Sequence, residues 1–477
     1  MGKEKITINW NGKDLEVEEG SNLLKAALDN GIKVAHYCYH LGLPVAGVCR
    51  MCMVEQEGVP RPFPSCNANV APGIKVRNDS EKVKNMVEWA LQLHLVNHPL
   101  DCPICDQAGE CGLQEYYLNY GLYDSSMIDQ KVHKPKVQDI GRNVMLDAER
   151  CILCSRCVRF TDHITQSFEM GIVNRGDHAT IVAHDELHND YAMNLVDICP
   201  VGALTSKDFR FKQRVWFLHE EITTCIGCET GCKVKISYNE SGAYRVKPVF
   251  DSEVNGYWMC DDGRDIYKHL SRADRVFSPM KKSQGLFLPT DEKTVFETVK
   301  GKKAKFILSA GLFNEEYEQF FERFRANKEQ VALYTLPNMG EDFDGILIRG
   351  NKNANLKGAE AYFLKAGHDP SVEQFNRLLS SLSDKDVVFV VVPEILYNQD
   401  HFETLVKKLS KAKYKIALTT NDSMMILQEF DFLLPLKAFA EKAGTIVNFN
   451  SQERHMNAGK IFVPEAKELA HYVEALL

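Results

Sequence analysis

The 477-residue sequence has no cysteine after Cys260. Its longest strongly apolar stretch, Val387 to Val392, is far too short to span a bilayer. No Gly-x-Gly-x-x-Gly follows a strand pattern and no Walker sequence occurs, so no dinucleotide, flavin or nucleotide site is expected on the chain itself. A net charge of −8 offers no basic footprint for nucleic acid. The opening Met1-Gly-Lys-Glu-Lys leads straight into a strand pattern, so no secretory signal is expected. Ile6 stands where a lipidation signal would need Ser or Thr. There is no internal repeat and no low-complexity tract. What remains, 44% apolar and 26% charged, describes a soluble protein long enough for three or four domains.

Without a secretion signal, a disulfide scaffold is not expected. The chain nevertheless carries fifteen cysteines, all between Cys38 and Cys260. An odd count fits disulfides badly and metal ligation well, provided that one site uses a histidine.

The densest group is Cys151-Ile-Leu-Cys154-Ser-Arg-Cys157, completed by a remote Cys199-Pro200. This is the ligand pattern of a bacterial 4Fe–4S ferredoxin site. Three cysteines in seven residues wrap the backbone around a compact anion, whereas zinc more often takes two separated Cys-x2-Cys pairs. A two-cluster ferredoxin would repeat the run. Here the second set of positions holds Thr161, Asn189, Ala192 and Leu195, so a single cluster is expected.

In chain order, Ile6–Trp10 and Lys13–Glu18 alternate as strands around Asn11-Gly12, a strong hairpin signal. Ser21 is read as an N-cap, Leu23–Leu28 as a helix and Gly31 as its stop. A hairpin then a helix suits the β-grasp fold of 2Fe–2S ferredoxins. Cys38, Cys49, Cys52 and Cys66 follow, spaced near the plant-type pattern but with a longer first gap. A helix is predicted over Ser80–Asn97. After it come His98, Cys102, Cys105 and Cys111, one imidazole and three thiolates, read as a second 4Fe–4S site. Zinc on the same four groups, or a His98 that only hydrogen-bonds, stays open. Gln114–Tyr123 is read as an aromatic helix covering this site, and Ser125–Val137 as a linker. A fourth set, Cys225, Cys228, Cys232 and Cys260, brackets strand patterns at Lys233–Tyr238 and Ala243–Pro248 and is also read as 4Fe–4S, with zinc as the alternative. Beyond Asp261 short apolar strands (Lys305–Ser309, Gln330–Tyr334, Val387–Val392, Lys415–Thr419) alternate with helices such as Glu315–Arg325, the signature of a parallel α/β domain.

The order of these sets resembles the family of large iron–sulfur electron-transfer subunits in the peripheral arm of bacterial NADH:quinone oxidoreductase, respiratory complex I, over roughly residues 1–275. The carrying strings are Gly47-Val-Cys-Arg-Met-Cys, His98 to Cys111, Glu149-Arg-Cys-Ile-Leu-Cys-Ser-Arg-Cys and Ile198-Cys-Pro-Val-Gly-Ala-Leu-Thr. The fourth set resembles one found in some members and in molybdopterin oxidoreductases. Ala273-Asp-Arg-Val-Phe-Ser-Pro and Glu441-Lys-Ala-Gly-Thr-Ile-Val-Asn resemble traces of a longer pterin-binding region, shortened here to about 200 residues.

The resemblance implies a multidomain α+β and α/β chain. Its expected parts are a 2Fe–2S domain at 1–79, a 4Fe–4S domain with one His and three Cys ligands plus linker at 80–138, a ferredoxin-like 4Fe–4S domain at 139–215, a molybdopterin-type 4Fe–4S domain at 216–274 and a reduced α/β domain at 275–477. It implies one 2Fe–2S and three 4Fe–4S clusters, no molybdopterin, and no catalytic residue on this chain. It further implies single-electron relay from a flavin/NADH-binding partner subunit, alongside other peripheral-arm subunits, towards quinone at the cytoplasmic face of the membrane. No nucleic-acid partner and no membrane span are expected. A diaphorase-type subunit of an NAD-linked hydrogenase or formate dehydrogenase is the alternative. Hydrogenase or formate dehydrogenase catalysis would need further ligands in the cysteine-free half.

Overall fold

The computed structural model describes residues 4–125, 127–271, 274–324, 329–396, 399–422 and 429–477. The opening Met1-Gly2-Lys3, Ala273 and Arg325 lie outside the described residues. The chain divides into two units, Met1–Phe217 and Leu218–Leu477.

The first unit opens with antiparallel β1 (Lys5–Trp10) and β2 (Lys13–Glu18). Asn11 and Gly12, both at positive φ, make the turn between them. Helix α1 (Leu23–Asp29) follows. Its N-cap is Asn22, not Ser21. The Asn22 side chain accepts from Lys25 N at 3.1 Å, whereas Ser21 Oγ donates backwards to Glu18 O. With β3 (Met53–Gln56), β4 (Phe63–Pro64) and β5 (Lys75–Arg77) the strands form one sheet in the order β2-β1-β5-β3-β4. Leu23, Leu24, Ala26 and Ala27 pack on Ile8, Trp10, Val54 and Val76, and Cys52 and Cys66 belong to the same core. The ligand loop is therefore anchored in this core at both of those cysteines.

Helix α2 (Glu81–Leu95) is capped by Ser80, which accepts from Val83 N. Helix α3 (Gly112–Asn119) begins two residues earlier than the aromatic pattern suggests, and Gly121, at φ 68°, ends that turn. The stretch read as a linker is tied down. Lys131 Nζ donates to His98 O, Lys134 Nζ to Ala179 O, and Lys136 pairs with Asp101 and Glu149. Its basic residues hold neighbouring segments instead of spacing them. The unit closes with β6 (Gln138–Asp139), β7 (Val144–Leu146), α4 (Arg156–His163), the hairpin of β8 (Met170–Val173) and β9 (Thr180–Ala183), α5 (Asn194–Ile198) and β10 (Leu204–Ser206), which pairs with β7.

The second unit starts with an antiparallel sheet of β11 (His219–Thr224), β12 (Lys233–Asn239) and β13 (Gly242–Pro248). Strands β14 (Met280–Ser283) and β15 (Leu286–Pro289) form an edge hairpin. It extends a parallel sheet of β16 (Lys303–Ser309), β17 (Val331–Tyr334), β18 (Asp386–Val391), β19 (Tyr414–Thr419) and β20 (Phe432–Pro435), in the order β15-β14-β20-β19-β18-β16-β17. Val387, Phe389 and Val391 point into one core, Val388 and Val390 into the other. That two-sided burial is why this strand reads as an unbroken apolar run. The helix expected over 315–325 spans Asn314–Arg323.

The two traces singled out in the sequence meet here. Arg275 Nη2 donates to Glu441 Oε2 at 2.8 Å, and both side chains are almost wholly buried. Glu441 also accepts from Ala438 N, Phe462 N and Val463 N. A carboxylate with so many donors is a structural keystone of this unit. Arg275→Ala should strip it of its cation and cost about 3–5 kcal/mol, read by urea unfolding of the full chain. A loss below about 1 kcal/mol would mean that the pair behaves as a surface bridge.

Candidate iron–sulfur ligand sites

In the first ligand set the thiols hydrogen-bond among themselves. Cys38 is drawn well below its ordinary range by Cys49 and Cys66, and Cys66 is pushed up by Cys38 and Cys52. The backbone N–H groups of Tyr37 and Cys38 both donate to Cys49 Sγ at 3.5 Å. The loop closes through Asn22 Nδ2 to Cys66 O and Ser65 Oγ to Cys52 O. Gly47 sits at φ 66°, a left-handed conformation in which an L side chain would be strained.

The third set in chain order lines one enclosed cavity. Cys151, Cys154, Cys157 and Cys199 all face it, with Ile152, Ile181 and Leu204. Burial pushes Cys151 and Cys199 up to about 12. Backbone N–H groups point at the sulfurs: Leu153 N donates to Cys151 at 3.3 Å, and Cys199 accepts from Val201, Leu204 and Ala203. Such amides favour the thiolate that a cluster requires. The fourth set does the same in the second unit. Cys225, Cys228, Cys232 and Cys260 ring a cavity with Met259 and Lys352. Gly227 N donates to Cys225 and Gly263 N to Cys260. A Cβ on Gly263 would lie 3.2 Å from Cys225 Sγ and 3.3 Å from Cys260 Sγ, so this glycine leaves the space between the thiols open.

The second set is the least closed. His98, Cys102 and Cys111 line one cavity, which Cys105 does not share. Cys105 is nonetheless near enough to raise the Cys111 thiol, which burial holds at about 11. His98 Nδ1 is buried with no hydrogen-bond partner, and burial followed by Lys131 and Arg150 holds the ring neutral. A neutral imidazole with an unused ring nitrogen fits a metal ligand. Among the described residues no three such side chains close to the distance of a single metal ion. Thiolates around a cluster stand farther apart than around one ion, because the irons and sulfides lie between them.

Sequence reasoning missed the side chains that join the sets. Tyr37 packs edge-on against His94 at 5.1 Å and against Tyr116 at 5.2 Å, and His94 Nε2 donates to Cys49 O. Gly112 N donates to Pro200 O, and a Cβ on Gly202 would sit 2.1 Å from Cys105 Sγ. The second and third sets thus share a backbone contact. Gly202 follows the ligand Cys199 by three residues, the only sequence signal that could have flagged it.

Fold and donor sets together define an iron–sulfur protein with several cluster-binding domains. Residues 3–81 match the 2Fe-2S iron-sulfur cluster binding domain family, 89–126 the NADH-ubiquinone oxidoreductase-G iron-sulfur binding region, and 141–205 the NADH-quinone oxidoreductase subunit 3 ferredoxin-like domain. The NADH-quinone oxidoreductase G subunit of Rickettsia typhi is 34% identical over 79% of this chain and 57% of its own length. That of Rickettsia conorii is 33% identical over 74% and 54%. The mitochondrial NADH-ubiquinone oxidoreductase 78 kDa subunit of Neurospora crassa is 32% identical over 77% and 52%. Over the matched residues the chain is similar to the NADH-quinone oxidoreductase G subunits. It spans about half the length of the curated relatives it matches.

Gly202→Ala should displace Cys105 and perturb the centre at His98, Cys102, Cys105 and Cys111, while the Cys225 centre keeps its signal. Low-temperature EPR of the purified chain reads both. An unchanged spectrum for the His98 centre would remove Cys105 from its ligands.

Proposed function

We propose that the chain is an electron-transfer subunit of an NADH:quinone oxidoreductase, relaying single electrons from a flavin/NADH-binding subunit towards quinone. The observation that carries this reading is the meeting of three ligand sets within one unit, across a span matched by a 2Fe-2S binding domain family and by two domain families named for such complexes. The chain's own residues bind and bury the clusters, aim N–H groups at sulfur and exclude water; iron–sulfur clusters supply one-electron chemistry. Cys38, Cys49, Cys52 and Cys66 would hold a 2Fe–2S cluster in a β-grasp domain. His98 with Cys102, Cys105 and Cys111, Cys151 with Cys154, Cys157 and Cys199, and Cys225 with Cys228, Cys232 and Cys260 would each hold a 4Fe–4S cluster. The five-part division at residues 79, 138, 215 and 274 belongs to the same reading.

No helix among the described residues is long and apolar enough to cross a membrane. The reading places the chain peripherally, on the cytoplasmic side, held by partner subunits. The Cys225 cluster is assigned a structural role, because ligands far apart in sequence cross-link β11, β12 and the loop before Asp261 and so convert metal binding into folding energy.

The purified chain should contain about fourteen irons with matching labile sulfide; stoichiometric zinc with little sulfide sinks the reading. In the assembled complex, Cys154→Ala should abolish NADH-to-quinone turnover, whereas Cys228→Ala should lower assembly yet leave most turnover per assembled complex. Equal losses would put the Cys225 cluster on the electron path.

A further inference from the structure

Two arginines of the first unit, Arg159 buried and Arg156 half-buried, lie beside the ligand loops with no carboxylate for company. Arg159, on α4, is 9% exposed. Its Nη2 donates to Cys38 O at 2.5 Å and to Cys154 O at 3.3 Å, its Nη1 to Pro44 O, and its Nε to Ser155. Arg156 donates from Nη1 to Ile198 O at 3.0 Å and from Nη2 to Tyr39 O at 2.5 Å, while its Nε is buried with no partner. Every acceptor is a neutral oxygen. Among the described residues neither guanidinium makes a salt bridge, in contrast to Arg150, which pairs with Asp101 and Asp147.

Burying one unpaired guanidinium is costly, and a second one beside it adds repulsion. Something anionic must balance them. The groups of potential negative charge that face Arg156 are Cys154, Cys199, Cys38 and Cys49; those facing Arg159 are Cys38, Cys154 and Cys157. The neighbouring imidazoles cannot help. Burial, followed by Arg156 and Arg159, holds His40 neutral at about 4. Protonated thiols carry no charge, so the balance comes only when both cysteine sets are thiolates around a metal centre. A cation beside such a centre stabilises its reduced, more negative form and raises its reduction potential. One nitrogen, Nη2 of Arg159, bonds a ligand residue of each set.

We propose that Arg159, with Arg156 beside it, is a counter-cation shared by the Cys38–Cys49–Cys52–Cys66 and Cys151–Cys154–Cys157–Cys199 clusters, holding both reduction potentials up. The proposal rests on the reading that these two sets hold clusters. It makes Arg159 a positioning and tuning residue rather than a ligand, acting through a single positive charge placed between both loops.

EPR-monitored redox titration of the full chain tests it. Arg159→Met should retain iron and labile sulfide and lower both midpoints. The expected size is about a tenfold change in each one-electron equilibrium, or about 59 mV. Arg159→Lys should stay close to the unsubstituted chain, and the Cys225 centre should not move in either variant. Unmoved midpoints in Arg159→Met, a shift of one centre alone, or an equal drop in Arg159→Lys would each overturn the shared-cation assignment. Should Arg159→Met lose its iron, Arg156→Gln decides: both midpoints lowered supports the assignment, and neither lowered defeats it. Loss of iron from both variants would give the pair a purely structural role and overturn the proposal. If the unsubstituted chain shows neither signal, the cluster reading itself fails, and this inference with it.

Discussion

Buried sulfur is the constraint around which the chain is built. Most of its fifteen cysteines are buried, and in the Cys151 and Cys225 sets burial, followed by the neighbouring thiols, pushes them towards the protonated form. Turning such groups into anionic ligands needs inward-facing backbone N–H groups, and the loops obtain them by strain. Arg50, Leu153 and Ser155 all sit at positive φ although none is glycine. Two of the three lie between consecutive cysteines of the Cys151–Cys157 run. The left-handed turns wrap that run around its cavity, and the neighbouring core holds them there.

The grouping of the cysteines was legible in the sequence because it is local. Cys-x2-Cys spacing is set by the loop that must wrap the metal centre, so it survives as a written pattern. The central strands of the second unit were legible for a similar reason: burial on both faces removes alternation and leaves runs such as Val387–Val392. The short hairpin strands β14 and β15 were missed, since most of their residues are exposed and the three apolar residues of β15 are too short a run to stand out. Asn22 and Ser21 both suit an N-cap, and only geometry chose between them. The role of Ser125–Val137 was misread because a string of lysines looks the same whether solvated or anchored. What fixed it was distant in sequence, in Asp101, Glu149 and the carbonyls of His98 and Ala179.

The second unit shows how segments far apart in sequence are held together for physical reasons. Arg275 and Glu441 are 166 residues apart, yet they form one buried pair whose carboxylate also caps three backbone amides. Removing either partner leaves an uncompensated charge, so the two segments are retained together irrespective of any ligand. The Cys225 loop is tied into the same unit. Thr224 Oγ1 donates to His455 O, and Arg454 bonds Gly231 O and Asp251. A cluster seated there would be braced by strands that the parallel sheet does not supply.

The contrast between two arginines bears on how an electron would find its way through the first unit. Arg150 too lies near a ligand set, for its charge reaches Cys105. Yet Arg150 Nε and Nη2 both hold Asp101, next to Cys102, and Asp147 stands 3.3 Å away. Burial works against the Asp101 carboxylate, but Lys136 and Arg150 hold it below its usual range, so it stays ionised. The net charge that Arg150 presents to the His98 set is therefore close to cancelled. Arg159 has no such partner, and its charge falls undiminished on the sets at either side. If His98 is a ligand, the His98 set gains instead by replacing one thiolate with a neutral imidazole, which removes a negative charge from the cluster itself. Neighbouring centres in one small unit would then be tuned by two different means, a shared external cation for one pair and a neutral ligand for the third. Each means is local, so the potential of the His98 set can be set independently of the pair's although the loops touch.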